Sequence, residues 1–353
     1  MGAHRRIQDA MGKREKRGKQ NFPSGNGQPT GDRRSLASRG DFGGQLLRWF
    51  DQNKRDLPWR RDCDPYHVWL SEIMLQQTRV GAVVEHYNRF LERFPSVETL
   101  AAARLSTVLA AWSGLGYYRR AHRLHAAARE VVHRRRGKFP ATQAELETLP
   151  GIGRYSSAAI ASIAFGQAVA AVDGNVERVL QRVLGRSISG NPLWQVATER
   201  LNARRPGDFN QAMMELGATV CLPREPKCCL CPVQALCRTQ GELERFPTAR
   251  RRAKQAVDYA LDRRRDLVFL LRRSRQTTLM PGMWELPELP TSQRSSRPWL
   301  ILRHAITSTD YLVRVAKVRL PPETKGCWFK ASRVGQLPLT GLARKILRQA
   351  KVI

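Results

Sequence analysis

"LPGIGRYSSAAIASIAFG", Leu149 to Gly166, is the stretch from which the fold is read. Pro150, Gly151 and Gly153 mark a tight turn, and the small and apolar residues after it have the makeup of a buried helix. Glycine reaches backbone conformations that other residues avoid, and it lets a partner come close to the main chain. A helix that opens directly after such a turn points its first N–H groups outward, which makes a seat for a phosphate. Many helical hairpins use glycine only to turn, so this stretch alone fixes a helix–turn–helix geometry and leaves its partner open.

Helical spacing continues on both sides of it. "LLRWF", "VWLSEIMLQQTRV", "AAARLSTVLAAW", "AHRLHAAAREVVH" and "NVERVLQRVLG" all carry it. In the last of these Val176, Val179, Leu180, Val183 and Leu184 form one stripe. Asp64 and Pro65 read as an N-cap and a first-turn proline ahead of the helix that carries Glu72. After the basic stretch near Pro247 the character changes. "LVFLLRR", "WELPEL", "WLILRH", "YLVRVAKVRL" and "CWFKA" read as strands, and "LARKILRQA" as a closing helix. The expected organisation is a basic, disordered tail over 1–40, a mostly α-helical region over 41–240, a linker over 241–256 and an α/β domain over 257–353.

Lys and Arg total 61 against 30 Asp and Glu, a net charge of +31. That balance favours a nucleic-acid partner with salt-sensitive binding, although a solvated basic surface or attachment to a ribosome would give it too. No run of about 18 apolar residues exists, so no membrane-spanning helix is expected. The N-terminus lacks the apolar core of a signal peptide, and Asp9, Glu15 and Asp32 disfavour a transit peptide.

Cys221, Cys228, Cys231 and Cys237 have the spacing C-x6-C-x2-C-x5-C. Four thiols in one short loop suit a [4Fe–4S] cluster. Zinc and free buried thiols are the competing readings, and zinc's closely paired ligands fit this spacing less well. Cys229, beside a ligand position, reads as a spectator. Two carboxylates also need an explanation. Glu72 has Val68, Trp69, Leu75 and Gln76 as helical neighbours, and a carboxylate among apolar groups is costly to ionise. Alone it would read as a surface glutamate. Asp173 follows the apolar stretch "AVAAV" and precedes a helix, where the plain reading is an N-cap. One protonated and one ionised carboxyl group together form the pair that cleaves glycosidic bonds.

"LPWR", "DPYHVWLSEIMLQQT", "GLGYYRRA", "LPGIGRY", "VDGNVERV", "FNQAMMELGATVC" and the cysteine loop together resemble adenine DNA glycosylases of the MutY type, within the helix-hairpin-helix glycosylase superfamily. The resemblance is close over 41–240 and loose over 257–353. It implies a base excision repair enzyme that removes adenine mispaired with 8-oxoguanine or guanine from double-stranded DNA. It also implies one [4Fe–4S] cluster on the four cysteines. By position, Glu72 matches the general acid, Asp173 the stabiliser of the sugar cation, and Tyr155 and Asn175 their neighbours. Trp59, Arg60 and Glu215 match the adenine pocket, Gln77 and Tyr117 the wedge that fills the emptied duplex, and Gly151 and Gly153 the DNA-binding hairpin. Endonuclease III-like relatives carry a lysine that attacks the sugar where this chain has Tyr155, so a monofunctional enzyme is implied. Glu177 also replaces a lysine of some relatives.

The C-terminal domain resembles the family's Nudix-like 8-oxoguanine reader. Glu285, Glu288 and Glu323 are too scattered for a metal-binding hydrolase box, so it reads as a binding module. Its recognition loop departs from the family's His-x-Phe-Ser-His: here His304, Ile306, Thr307 and Ser308 occupy "HAITS". An endonuclease III-like lyase and a noncatalytic lesion-binding protein are the rival functions. A monomer is expected, cytoplasmic on the nucleoid in a bacterium, or nuclear or mitochondrial in a eukaryote.

Overall fold

The computed structural model describes residues 41–240, 253–274, 276–277, 279–290, 297–306 and 309–353. The predicted tail over 1–40 and most of the linker lie outside the described residues, as do Thr307 and Ser308. Helices run α1 (Phe42–Asn53), α2 (Pro65–Leu75), α3 (Val80–Arg93), α4 (Val97–Ala102), α5 (Leu105–Ala111), α6 (Arg119–Arg135), α7 (Gln143–Leu146), α8 (Arg154–Phe165), α9 (Gly174–Leu184), α10 (Gly190–Arg200) and α11 (Pro206–Thr219).

Two apolar clusters organise these helices. One gathers Trp69, Leu70 and Met74 of α2 with Tyr87, Phe90, Trp112 and Leu124. The other joins Leu46 and Phe50 of α1 to Val176, Val179 and Leu180 of α9 and to Met213 and Leu216 of α11. Helix α2 starts as the sequence predicts: the Asp64 carboxylate accepts from the N–H groups of Tyr66 and His67, and Pro65 fills the first turn. Its residues from Val68 to Met74 are all buried, the state of a helix surrounded by others on every side.

The hairpin before α8 has a steric cause. Gly151 has φ +84°, and a Cβ there would lie 2.6 Å from the Arg123 side chain. Gly153 differs: its backbone is extended and a Cβ would meet nothing, so the fold itself makes no demand for glycine at that position. Helix α11 approaches α9 closely enough to need Gly217, where a Cβ would stand 2.6 Å from the Cβ of Asn175.

The C-terminal region contains strands β1 (Ala253–Leu261), β2 (Arg263–Arg264), β3 (Leu267–Arg272), β4 (Trp284–Glu285), β5 (Leu300–Ile306), β6 (Thr309–Lys317) and β7 (Cys327–Lys330), with helices α12 (Ala331–Val334) and α13 (Gly341–Gln349). One sheet has the order β1-β6-β5, with β1 parallel and β5 antiparallel to β6. The other places β3 between β2 and β4, and β7 also pairs with β3. The first strand begins at Ala253, inside the predicted linker. Residues 253–256 are polar or small and exposed, so composition resembles a linker, while β6 supplies the backbone pairing that makes them strand. The region docks on the loop between α5 and α6: Ser113 Oγ and Tyr118 Oη each donate to the Leu339 carbonyl at 3.0 Å, and Arg344 Nε donates to Ser113 Oγ at 2.7 Å.

A Gly217→Ala change must push α11 and Asn175 apart. It is expected to lower stability by about 1–3 kcal/mol, the usual cost of overpacking. Thermal unfolding with an unchanged midpoint would show that the two helices are not in forced contact.

Candidate active site

A cavity of about 540 Å³ opens where the two helical clusters meet. Helix α2 contributes Val68, Ser71, Glu72 and Leu75, and α8 contributes Tyr155. The N-terminus of α9 adds Asp173 and Asn175, and α11 adds Met214 and Glu215. Trp59, Arg60 and Gln77 complete its wall, together with Arg55. Glu72 and Asp173, distant in sequence, thus face one space.

Glu72 is 6% exposed. Burial pushes its carboxyl up to about 7; the Tyr155 hydroxyl, donating at 2.8 Å to Oε2, pulls the other way, and the negative charge of Asp173 pushes it further up. The hydroxyl of Tyr155 also lies 3.1 Å from the Met214 sulfur, which fixes the ring between the two. Asp173 is in a different setting. Its Oδ1 accepts from the main-chain N–H groups of Asn175 and Val176 at 2.9 and 2.8 Å, and Oδ2 accepts from Asn175 Nδ2 at 2.9 Å. Asp173 is therefore both the N-cap of α9 and a wall of the cavity, so the cap and the functional reading hold together. Its three donors and the positive end of the helix complement a negative charge.

Glu215 is 1% exposed and committed to two arginines. Arg55 donates from Nε and Nη2 at 2.6 and 2.7 Å, and Arg60 from Nη2 at 2.8 Å. Burial alone would raise this carboxyl, yet the two guanidinium groups hold it below its ordinary value. Its effect on the cavity runs through the arginines it holds. Trp59 packs edge-on to Tyr87 at 5.4 Å, so it belongs to the core and to the cavity wall alike. Gln77 and Tyr117 are non-glycine residues with φ of +55° and +46°, and both are exposed. Arg55 escaped the sequence reading, since its partner is 160 positions away and nothing local singles it out.

Cys221, Cys228, Cys231 and Cys237 line one small cavity with Val179, Val183, Leu216, Val220 and Val233. Cys229 is exposed. Among the described residues no three His, Cys, Asp or Glu side chains converge closely enough to hold a single ion. A cubane takes one thiolate per iron and holds its four sulfurs farther apart than a single zinc ion does, so the four sulfurs around one apolar cavity fit it better. Two arginines tie this loop to α9. Arg182 Nη1 donates to Cys221 Sγ at 3.3 Å and to the Leu222 carbonyl at 2.7 Å. Arg178 donates to the Cys221 carbonyl at 2.9 Å and to Asn175 Oδ1 at 2.8 Å, one residue contact away from Asp173.

In the C-terminal region His304 and Ile306 lie on β5, opposite Tyr311 and Thr309 of β6. Burial and the nearby Lys345 hold the His304 ring below its ordinary pKa.

The family model for HhH-GPD superfamily base excision DNA repair proteins matches residues 70–192. The chain is 32% identical over 324 residues to the adenine DNA glycosylase of Schizosaccharomyces pombe, covering 72% of this chain and 70% of that protein. The chain belongs to the adenine DNA glycosylase family. The human adenine DNA glycosylase is 49% identical over 228 residues, which are 60% of this chain and 41% of that protein, so the chain matches less than half the length of that relative. A solved thermostable thymine-DNA glycosylase superposes with a TM-score of 0.54 at 31% identity, over 57% of this chain and 96% of its own. The family fold accounts for the helical region that holds Glu72, Tyr155 and Asp173. No helix among the described residues is long and apolar enough to cross a membrane.

The raised carboxyl of this glycosylase-family chain has a thermodynamic consequence. Unfolded, Glu72 titrates near 4.5, and folded near 7. Between those values the folded state holds the additional proton, so stability falls as pH rises through the window and the whole cost stands above pH 7. Glu72→Gln removes the titration. It is expected to stabilise the protein above pH 7 by up to about 3 kcal/mol and to change little below pH 4.5. Melting curves that shift equally at both extremes would contradict a buried titrating carboxyl.

Proposed function

We propose that this chain is a monofunctional DNA glycosylase that hydrolyses the N-glycosidic bond of adenine mispaired with 8-oxoguanine or guanine in duplex DNA. The observation that carries this reading is the asymmetry of the two carboxyl groups on one cavity. Glu72 holds a proton near neutral pH and can give it to a ring nitrogen of the departing adenine, which makes the base a better leaving group. Asp173, fixed by three N–H donors, meets the positive charge that develops on the sugar. The Tyr155 hydroxyl orients the Glu72 carboxyl and stands where lyase relatives place an amine. No lysine lines the cavity among the described residues, so no side-chain amine is placed to attack the sugar.

An adenine stacked in a duplex cannot reach Glu72, so the nucleotide must be turned out. Gln77, at the cavity, and the exposed Tyr117 fill the vacated space, and Trp59, Arg60 and Glu215 with its partner Arg55 shape the pocket for the base. The N-terminus of α8 has no side-chain cap, and Gly153 leaves it uncovered, so its N–H groups are free for a backbone phosphate. Net charge supports the same partner. The C-terminal region reads the base opposite the adenine, through His304 and the residues that follow Ile306 in the sequence, Thr307 and Ser308. Ile306 in place of an aromatic side chain weakens discrimination between 8-oxoguanine and guanine.

Cys221, Cys228, Cys231 and Cys237 would hold a [4Fe–4S] cluster that cross-links the loop after α11. Its contribution is structural, since Arg178 and Arg182 join that loop to the helix capped by Asp173.

Single-turnover excision on duplexes with adenine opposite 8-oxoguanine and opposite guanine tests the reading. Adenine release is expected on both, with a rate that falls as pH rises through about 7. Glu72→Gln should be slower by about 10²–10⁴-fold, and borohydride should trap no enzyme–DNA adduct. No release by the parent chain, or an undiminished Glu72→Gln variant, overturns it. Separately, the parent should be brown and Cys228→Ser colourless and poorly soluble; a brown and fully active variant would remove Cys228 from the ligand set, and a colourless, fully active parent would exclude the cluster assignment.

A further inference from the structure

Arg120, in the first turn of α6, is 9% exposed and makes no ion pair among the described residues. A buried cation without a carboxylate is costly unless polar groups replace its water. Arg120 meets six oxygens instead. Nη1 donates to the carbonyls of Ile73 and Met74 at 2.8 and 2.9 Å and also to that of Gln76. Nη2 donates to Thr78 Oγ1 at 3.0 Å and to the carbonyls of Leu115 and Gly116 at 3.1 and 3.3 Å.

Those acceptors come from two separate segments. One is the end of α2 and the loop after it, and the other is the loop between α5 and α6. Each segment holds one exposed non-glycine residue with left-handed backbone, Gln77 in the first and Tyr117 in the second. Such a conformation costs roughly 1–2 kcal/mol per residue and persists only where surrounding contacts enforce it. The guanidinium lies between the two segments and also 5.4 Å from the Tyr117 ring centroid. A planar group with five fixed donors can hold two main chains in one register, which a lysine ammonium cannot reproduce.

We propose that Arg120 is a positioning residue that joins the Gln77 and Tyr117 segments into one wedge, so that both side chains enter the duplex together when the adenine leaves it. This rests on the glycosylase reading, since it assigns the wedge a base to displace. Arg120 does not line the cavity that Glu72 and Asp173 share. Its loss therefore acts on extrusion and leaves the protonation chemistry of Glu72 in place.

The test compares the full-length chain with Arg120→Lys and Thr78→Val on two duplexes. One pairs adenine with 8-oxoguanine, and the other sets adenine opposite an abasic analogue, where no partner base holds it. For Arg120→Lys the expected single-turnover loss is on the order of 10- to 100-fold on the paired adenine, the scale of a small misplacement remote from the chemistry. The loss on the unpaired adenine should be several times smaller, with the same pH profile on both. Binding of a duplex with 2-aminopurine at the target position should give less fluorescence rise than with the parent, because less of the probe is unstacked. Thr78→Val removes one peripheral acceptor and should shift both readouts the same way to a lesser degree; it decides the matter if Arg120→Lys does not fold. Equal losses on the two duplexes, or none, overturn the inference. A parent chain that releases adenine from neither duplex rejects the glycosylase reading itself.

Discussion

A carboxyl group at position 72 is buried at the wall of the cavity, and much of the surrounding architecture follows from that. Desolvation alone would make Glu72 a defect. It is tolerated because the group keeps its proton near neutral pH and because the Tyr155 hydroxyl satisfies one of its oxygens. For this to hold, α2 must be covered all round, which is why its buried residues include every one from Val68 to Met74. Helix α8 must also begin where Tyr155 reaches across, and the Gly151 turn fixes that point.

The second carboxyl is held by opposite means. Asp173 keeps its hydrogen bonds within its own helix cap, so its position is only as good as that of α9. Besides its apolar stripe, α9 is held by close approach and by two arginines: Gly217 lets α11 press against Asn175, Arg178 clamps Asn175 to the chain at Gly217 and Cys221, and Arg182 secures the cysteine loop. The cysteine loop thus supports the acidic side chain from behind while standing apart from the cavity. The buried Glu215 plays a similar supporting part on the other wall. Its two arginines neutralise it, and it keeps their side chains at the cavity edge.

Arg120 bridges the Gln77 segment beside the cavity and the loop between α5 and α6. The loop that carries Tyr117 receives Arg120 from one side and the C-terminal region from the other, through Ser113, Tyr118, Leu339 and Arg344. A loop held at both flanks can keep an exposed aromatic side chain in a strained backbone state.

Local chemistry written in consecutive residues is legible in the sequence. The helices of the first region, the Asp64 cap, the glycine turn, the cysteine spacing and the change to strands near residue 257 all depend on neighbours within a few positions. So did the suspicion attached to Glu72, because its helical neighbours are apolar. The edge of β1 was misjudged because residues 253–256 become strand only through pairing with β6, some 56 positions later. Arg55, Arg120 and Arg178 were invisible for the same reason. An arginine in a basic chain looks like any other until the fold shows which carbonyls and carboxylates surround it. Helical spacing, turns and the chemical identity of the groups are written in the order of the residues. Which of them share a cavity, and how far each is removed from water, emerges on folding, because desolvation and hydrogen bonding across more than a hundred residues are properties of packing in space.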